Sequence, residues 1–216
     1  NEQKLEPIGE QAGYPNKFDP NNIGDKDVIY IGATTSRDVP KIMAIASQGS
    51  SLYIYEISPE MIQGKKGTIC SGYWELTPET GLVEGKLPVA TSAYFDRMFY
   101  YAVGNKIYRA DLTRSTPRSY EIYAHPDPSV RITRLKFRSQ REDRWDISGG
   151  DEVEAIPYDF VSYLGGVAEY PDGNCSMLEM KLTAAGEIDK EEGTKDLMVY
   201  EFKGFKNVVD FVYAFK

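Results

Sequence analysis

Trp145 stands in a highly polar stretch, REDRWDISGGDE (141–152), together with Arg144, Asp146, Asp151 and Glu152. An indole face packs against the C–H groups of a sugar ring, while adjacent carboxylates and guanidinium groups bond its hydroxyls. The spacing sets Trp145, Arg144, Asp146 and Asp151 in a loop and marks them as a candidate ligand site. A charged, solvated loop with no ligand is the simpler account, and packing against neighbouring structure is the rival role for the indole. Two acids are also what a glycosidase needs, about 5 to 10 Å apart. The chain carries 33 Asp and Glu residues, so sequence spacing alone selects no such pair. Trp74, in SGYWEL, lies within a β-rich run, where a core position is favoured.

Calcium is a second chemistry within reach. DPNNIGDKD (19–27) places Asp19, Asn21, Asp25 and Asp27 on a Gly-containing turn. Calcium takes about six to eight oxygens from such groups. The stretch lacks the EF-hand order and its terminal Glu, and a turn ahead of a strand accounts for the same residues. No other cofactor is expected. The single histidine, His125 in AHPDPS, argues against multi-His zinc sites, and its Pro neighbours predict a solvent-exposed turn. No G-x-S-x-G elbow and no Gly-rich phosphate loop is present, so serine-hydrolase and nucleotide chemistry are disfavoured. Cys70 and Cys175 are too few for a disulfide scaffold. They form one disulfide if the fold brings them together, and two buried thiols if it does not.

The net charge of −8 argues against a nucleic-acid partner, whose affinity comes mainly from Lys and Arg neutralising phosphates. The one basic stretch, RLKFRSQREDR (134–144), reads as a solvated strand end and loop. No apolar run approaches the roughly 18 residues of a transmembrane segment. The chain starts at Asn1 without an initiator Met, as a mature or trimmed product does.

The elements that must position these residues are strands. No amphipathic helix is legible, and 16 Tyr suit half-buried strands whose rings pack while their hydroxyls reach water. Three stretches share one order: KIMAIASQGSSLYIYEI (41–57), RMFYYAVGNKIYRADL (97–112) and GVAEYPDGNCSMLEMKL (166–182). Each sets a strand, a turn glycine (Gly49, Gly104, Gly173) and a six-residue strand. A third strand follows each (68–76, 119–124, 196–202), then a fourth (89–95, 131–137, 207–215). Counting 27–33 as a first strand gives repeats over about 27–88, 89–130 and 131–206, a closing strand at 207–215, and an N-terminal extension at 1–26. Four strands per repeat describes a β-propeller blade, with a Greek-key sandwich as the alternative. The expected fold class is all-β, a β-propeller-like arc of about three four-stranded blades. Closed propellers use about four to eight blades, so a fragment of a larger propeller is expected. Its exposed blade edges predict self-association.

YFDRMFYYAVGNKIYRADL (94–112) and KGFKNVVDFVYAFK (203–216) resemble the PKD-like lipoproteins of Bacteroidetes, over most of the chain after about residue 28. The resemblance implies a lipid-anchored protein of the cell surface and outer membrane, with PKD- or Ig-like modules ahead of a propeller-like C-terminal region. It also implies a place in glycan-uptake systems of the starch-utilisation type, and it carries over no catalytic motif. The function it implies is a non-catalytic binding or scaffolding module of a cell-surface glycan-utilisation lipoprotein, partnered by a glycan or an outer-membrane protein. The alternatives are a glycoside hydrolase or lyase fragment with a carboxylate-based site, and a protein-interaction or adhesion module.

Overall fold

Apolar runs bounded by Gly, Asn and Asp fold as strands, and every regular element of the described chain is one. The computed structural model describes residues 26–33, 42–49, 51–62, 65–76, 89–90, 98–146 and 154–213, with side chains for 26–32, 42–49, 51–57, 72–76, 98–138 and 161–213. Twelve strands follow in order: β1 (Asp27–Ala33), β2 (Ile42–Gln48), β3 (Ser51–Ile62), β4 (Lys65–Leu76), β5 (Val89–Ala90), β6 (Met98–Val103), β7 (Lys106–Asp111), β8 (Ser119–Ala124), β9 (Arg131–Asp146), β10 (Glu154–Glu169), β11 (Asn174–Leu182) and β12 (Val199–Lys206). They pair as three antiparallel meanders, β1 to β4, β5 to β8 and β9 to β12, none closed on itself. β5 is only two residues long, and 91–97, expected to extend it, lie outside the described residues.

β6 is buried on both faces, which explains why MFYYAV is continuously apolar rather than alternating. Phe99 and Tyr101 of β6, with Tyr108 and Ala110 of β7, join Met43, Ile45, Leu52, Ile54, Trp74 and Leu76 of the first sheet in one hydrophobic cluster. Tyr100, Ala102 and Ile107 face the other way and join Leu135, Leu164, Ala168, Leu178 and Met180 of the third. Side-chain alternation along β6 and β7 thus ties each sheet to the next in chain order. Trp74 takes its expected core place at 9% exposure.

The β6–β7 turn is a two-residue hairpin with Gly104 at φ 60°. A glycine at the first central position is what the twist-matched primed turn requires. The turn is then anchored from outside. Asn105 Nδ2 donates to the His125 carbonyl at 3.0 Å, and the backbone N–H of Ile132 donates to the Gly104 carbonyl at 2.8 Å.

Two stretches depart from their sequence expectation. Residues 141–146, expected in a loop, continue β9, with Trp145 opposite Ala155 and Asp146 opposite Glu154. Their polar neighbours did not stop the ladder. The facing strand carries Pro157 at a register shift between Ile156 and Asp159, where its missing N–H breaks no regular pairing. Residues 207–213, expected as a closing strand, form no strand. Arg134 Nε donates to the Val209 carbonyl at 2.8 Å, and Lys136 pairs with Asp210 at 2.9 Å. Phe211 and Tyr213 occupy the space where a side chain at Gly165 would stand. Asn207 breaks the ladder with a left-handed φ of 52°, so the chain leaves the sheet edge and crosses its outer face.

Candidate functional site

The sites expected from sequence fall largely elsewhere than the described side chains. Asp151, and Asp19, Asn21 and Asp25 of the calcium set, lie outside the described residues. Asp27 opens β1, exposed, opposite Ser47. Arg144, Trp145 and Asp146 are placed by their backbone at the far end of the β9–β10 hairpin. Cys175 is a buried free thiol on β11, its Sγ 3.7 Å from the Gly173 carbonyl, and Cys70 belongs to β4 of a different sheet.

His125 is buried, contrary to the exposed turn expected from its Pro neighbours. Its ring lies edge-on to Tyr123 and Tyr170, with centroids 6.4 and 5.9 Å away. Nδ1 lies 3.1 Å from the Asp127 backbone N and 3.3 Å from its carbonyl oxygen, and Nε2 lies 3.8 Å from Glu201 Oε1. Asp127 in turn folds the following link by accepting from the Ser129 backbone at 2.9 Å and its hydroxyl at 2.6 Å. The Tyr170 hydroxyl donates to Glu201 at 2.8 Å. Burial would raise the Glu201 carboxyl, but the neighbouring Ser176 and Tyr170 hydroxyls, Lys203 and His125 outweigh it and hold it below its ordinary value. Burial raises the Tyr123 hydroxyl to about 12, helped by Glu201 and Tyr170. This group is closed in on itself and locks the second and third sheets together.

Among the described residues, an accessible cleft of about 450 Å³ lies between the outer edge of the second sheet and the segment that joins β11 to β12. Arg109 and Asp111 come from β7, Arg114 and Arg118 from the β7–β8 link, and Tyr120, Glu121 and Ile122 from β8. Glu187, Ile188, Lys190 and Leu197 close the other side. Local chemistry shapes both walls. The Asp111 carboxylate accepts from the Thr113 backbone at 2.9 Å and its hydroxyl at 2.6 Å, which turns the chain at the end of β7. Those Thr113 bonds, chiefly the hydroxyl's, hold the Asp111 carboxyl below its usual range.

The opposite wall is an ordered segment held by its own backbone hydrogen bonds. Thr183 N–H donates to the Glu187 carbonyl, Gly186 N–H to the Thr183 carbonyl, and bridges link Leu182 with Ile188 and Lys190 with Leu197. Gly186 adopts φ 75°. Its carbonyl accepts the Tyr100 hydroxyl at 2.7 Å, and Arg109 Nη1 donates to the Ala185 carbonyl. Burial drives the Tyr100 hydroxyl well above its usual range, so it remains a donor at any physiological pH. Ile188, 4% exposed, seats the wall in the shared core.

The charges in the cleft are unequal in their freedom. Glu187 faces Arg109 at 3.8 Å, Glu121 holds Lys106 at 2.7 Å, and Asp111 faces Arg114 at 3.9 Å. Arg118 and Lys190 have no ion-pair partner among the described residues. Tyr120 is 48% exposed beside them. The signal for this site in the sequence was weak: three arginines spaced along KIYRADLTRSTPRSY and a lysine some seventy residues later. Only sheet stacking brings them together.

Comparison of the chain with protein-family models, with curated proteins and with solved structures gives no match.

Proposed function

We propose that this chain is a non-catalytic binding module of a glycan-utilisation lipoprotein at the outer-membrane surface. The observation that carries the reading is the cleft beside β8, where an exposed Tyr120 ring stands among guanidinium groups and carboxylates. Such a mixture suits a polyhydroxylated ring, with C–H groups on the aromatic face and hydroxyls bonded at its rim. The resemblance to PKD-like lipoproteins supplies the surface location and the glycan-uptake setting. Three meanders joined in chain order by shared hydrophobic clusters support a propeller-like arc, a fragment of a larger propeller.

A glycosidase's general acid must hold its proton near neutral pH and so has a raised pKa. The Asp111 carboxyl in the cleft is instead held below its usual range, which suits an acceptor for sugar hydroxyls. A panel of dietary and host oligosaccharides tests the reading, with Tyr120→Ala and Trp145→Ala beside the parent protein. At least one saccharide should bind, and Tyr120→Ala should weaken it by about tenfold, the worth of one stacked ring. Silence across the panel, or turnover of a bound oligosaccharide, overturns it.

A further inference from the structure

We propose that the cleft selects acidic oligosaccharides carrying isolated carboxylates, with Arg118 and Lys190 as the groups that recognise the charge. This inference rests on the glycan reading above and names the class of glycan.

Charge pairing carries it. Each carboxylate of the cleft already faces a cation of the same chain: Asp111 with Arg114, Glu121 with Lys106, Glu187 with Arg109. Arg118 and Lys190 are left over, both exposed, on the two opposite walls. In a chain of net charge −8, two cations without an ion-pair partner among the described residues, set on facing walls of one concavity, mark a place prepared for an external anion. Arg118 offers a planar fork that matches a carboxylate, and Lys190 a point charge that adjusts to it.

Neighbouring groups narrow the class further. Tyr120 lies on β8 just after Arg118, so a ring stacked there carries its acid group beside the guanidinium. Asp111, Glu121 and Glu187 keep lone pairs for sugar hydroxyls, since a carboxylate can accept about four hydrogen bonds. The same three carboxylates, and the chain's negative charge, repel a densely charged polyanion. Sparse carboxylates on a hydroxyl-rich chain satisfy both conditions, as in a uronic-acid oligosaccharide.

The wall holding Lys190 is preset. The Tyr100 and Arg109 bonds to the Gly186 and Ala185 carbonyls fix it against the second sheet before any ligand arrives. Little ordering entropy is then charged against binding.

Isothermal titration of the full chain tests the proposal with four probes: oligogalacturonate, a neutral galacto-oligosaccharide of equal length, a chondroitin sulfate oligosaccharide, and inorganic sulfate. The parent protein is compared with Arg118→Gln/Lys190→Gln, and with Arg131→Gln as a charge control on the β9 surface. Both cleft positions are exposed, so the double variant should melt with the parent, which a thermal scan verifies. Oligogalacturonate should bind best, lose about tenfold or more in the double variant, and weaken as salt rises. Arg131→Gln should bind as the parent does. Equal binding of the neutral sugar, untouched by the double variant, overturns the charge selection and leaves the glycan reading standing. Binding of inorganic sulfate with no response to any saccharide overturns the glycan reading and the acidic-saccharide class with it. Preference for the sulfated oligosaccharide overturns the choice of isolated carboxylates.

Discussion

Asp111, Asp127, Glu201 and Asp210 each have a carboxyl held below its ordinary value in the folded chain. For Asp111 and Asp127 the first cause is a hydroxyl bond, from Thr113 and Ser129 respectively; for Asp210 it is Lys136. A depressed folded pKa means that the folded state binds fewer protons than the unfolded one. The stabilisation is therefore fully present above the unfolded carboxyl value of about 4 and is lost as pH falls through the folded values. The melting temperature should be level from about pH 5 upward and drop below about pH 4. An Asp127→Asn/Glu201→Gln variant should show a shallower acid drop by circular dichroism melts. An identical acid profile for parent and variant would show that these contacts do not carry the dependence.

At the scale of elements, the segment between β11 and β12 behaves as a built wall rather than a tether. Its conformation depends on Gly186 at φ 75°, and a Cβ there would stand 2.6 Å from the Tyr100 hydroxyl. Gly186→Ala therefore meets both left-handed strain and a collision, with the Tyr100 hydrogen bond lost as well. A cost of roughly 1 to 3 kcal/mol is expected in urea unfolding, and ligand affinity at the cleft should fall with it. Tyr100→Phe should cost about 1 kcal/mol, since it removes only the bond. Full stability of Gly186→Ala would mean that the wall does not need this conformation. The edge strand β12 offers a second element-scale test, because Tyr200, Phe202 and Phe205 stand 43%, 54% and 43% exposed on it. Sedimentation should show self-association rising with concentration, reduced by Phe202→Lys, which places a charge on an open edge. A monomer at all concentrations would refute edge pairing.

Across the whole molecule, the second sheet is the common partner of the first and third. Tyr101 faces the first sheet and Leu178 faces the second from the third, each at most 2% exposed. Tyr101→Ala should cost about 3 to 5 kcal/mol and Leu178→Ala about 2 to 5. Both should shift one shared transition seen by fluorescence and circular dichroism, because neither interface is separable from the middle sheet. Two resolved transitions would show that the meanders unfold independently.

Much of this was legible in the chain. The turn glycines at 49, 104 and 173 all adopt positive φ, and each sits between paired strands. Side-chain alternation assigns the faces, and Trp74 in SGYWEL is a core residue. These are local properties: a period of two and a handful of turn conformations decide them from neighbouring residues. The continuation of β9 through Trp145 was hidden because its polar residues resemble a loop, whereas cross-strand pairing with β10 decides the backbone.

What only the tertiary structure decided is which distant side chains meet. His125 is buried because Tyr123 and Tyr170, from different sheets, close over it. The ending departs from the third sheet at Asn207 because a single left-handed residue redirects it, and a strand-like composition could not disclose that turn. Arg118 and Lys190 share a cleft because Ile188 and the Tyr100 hydroxyl dock one loop onto another sheet. Strand order follows from short-range backbone preferences that the sequence spells out. The cleft follows from long-range packing, which depends on how separate sheets bury their faces together.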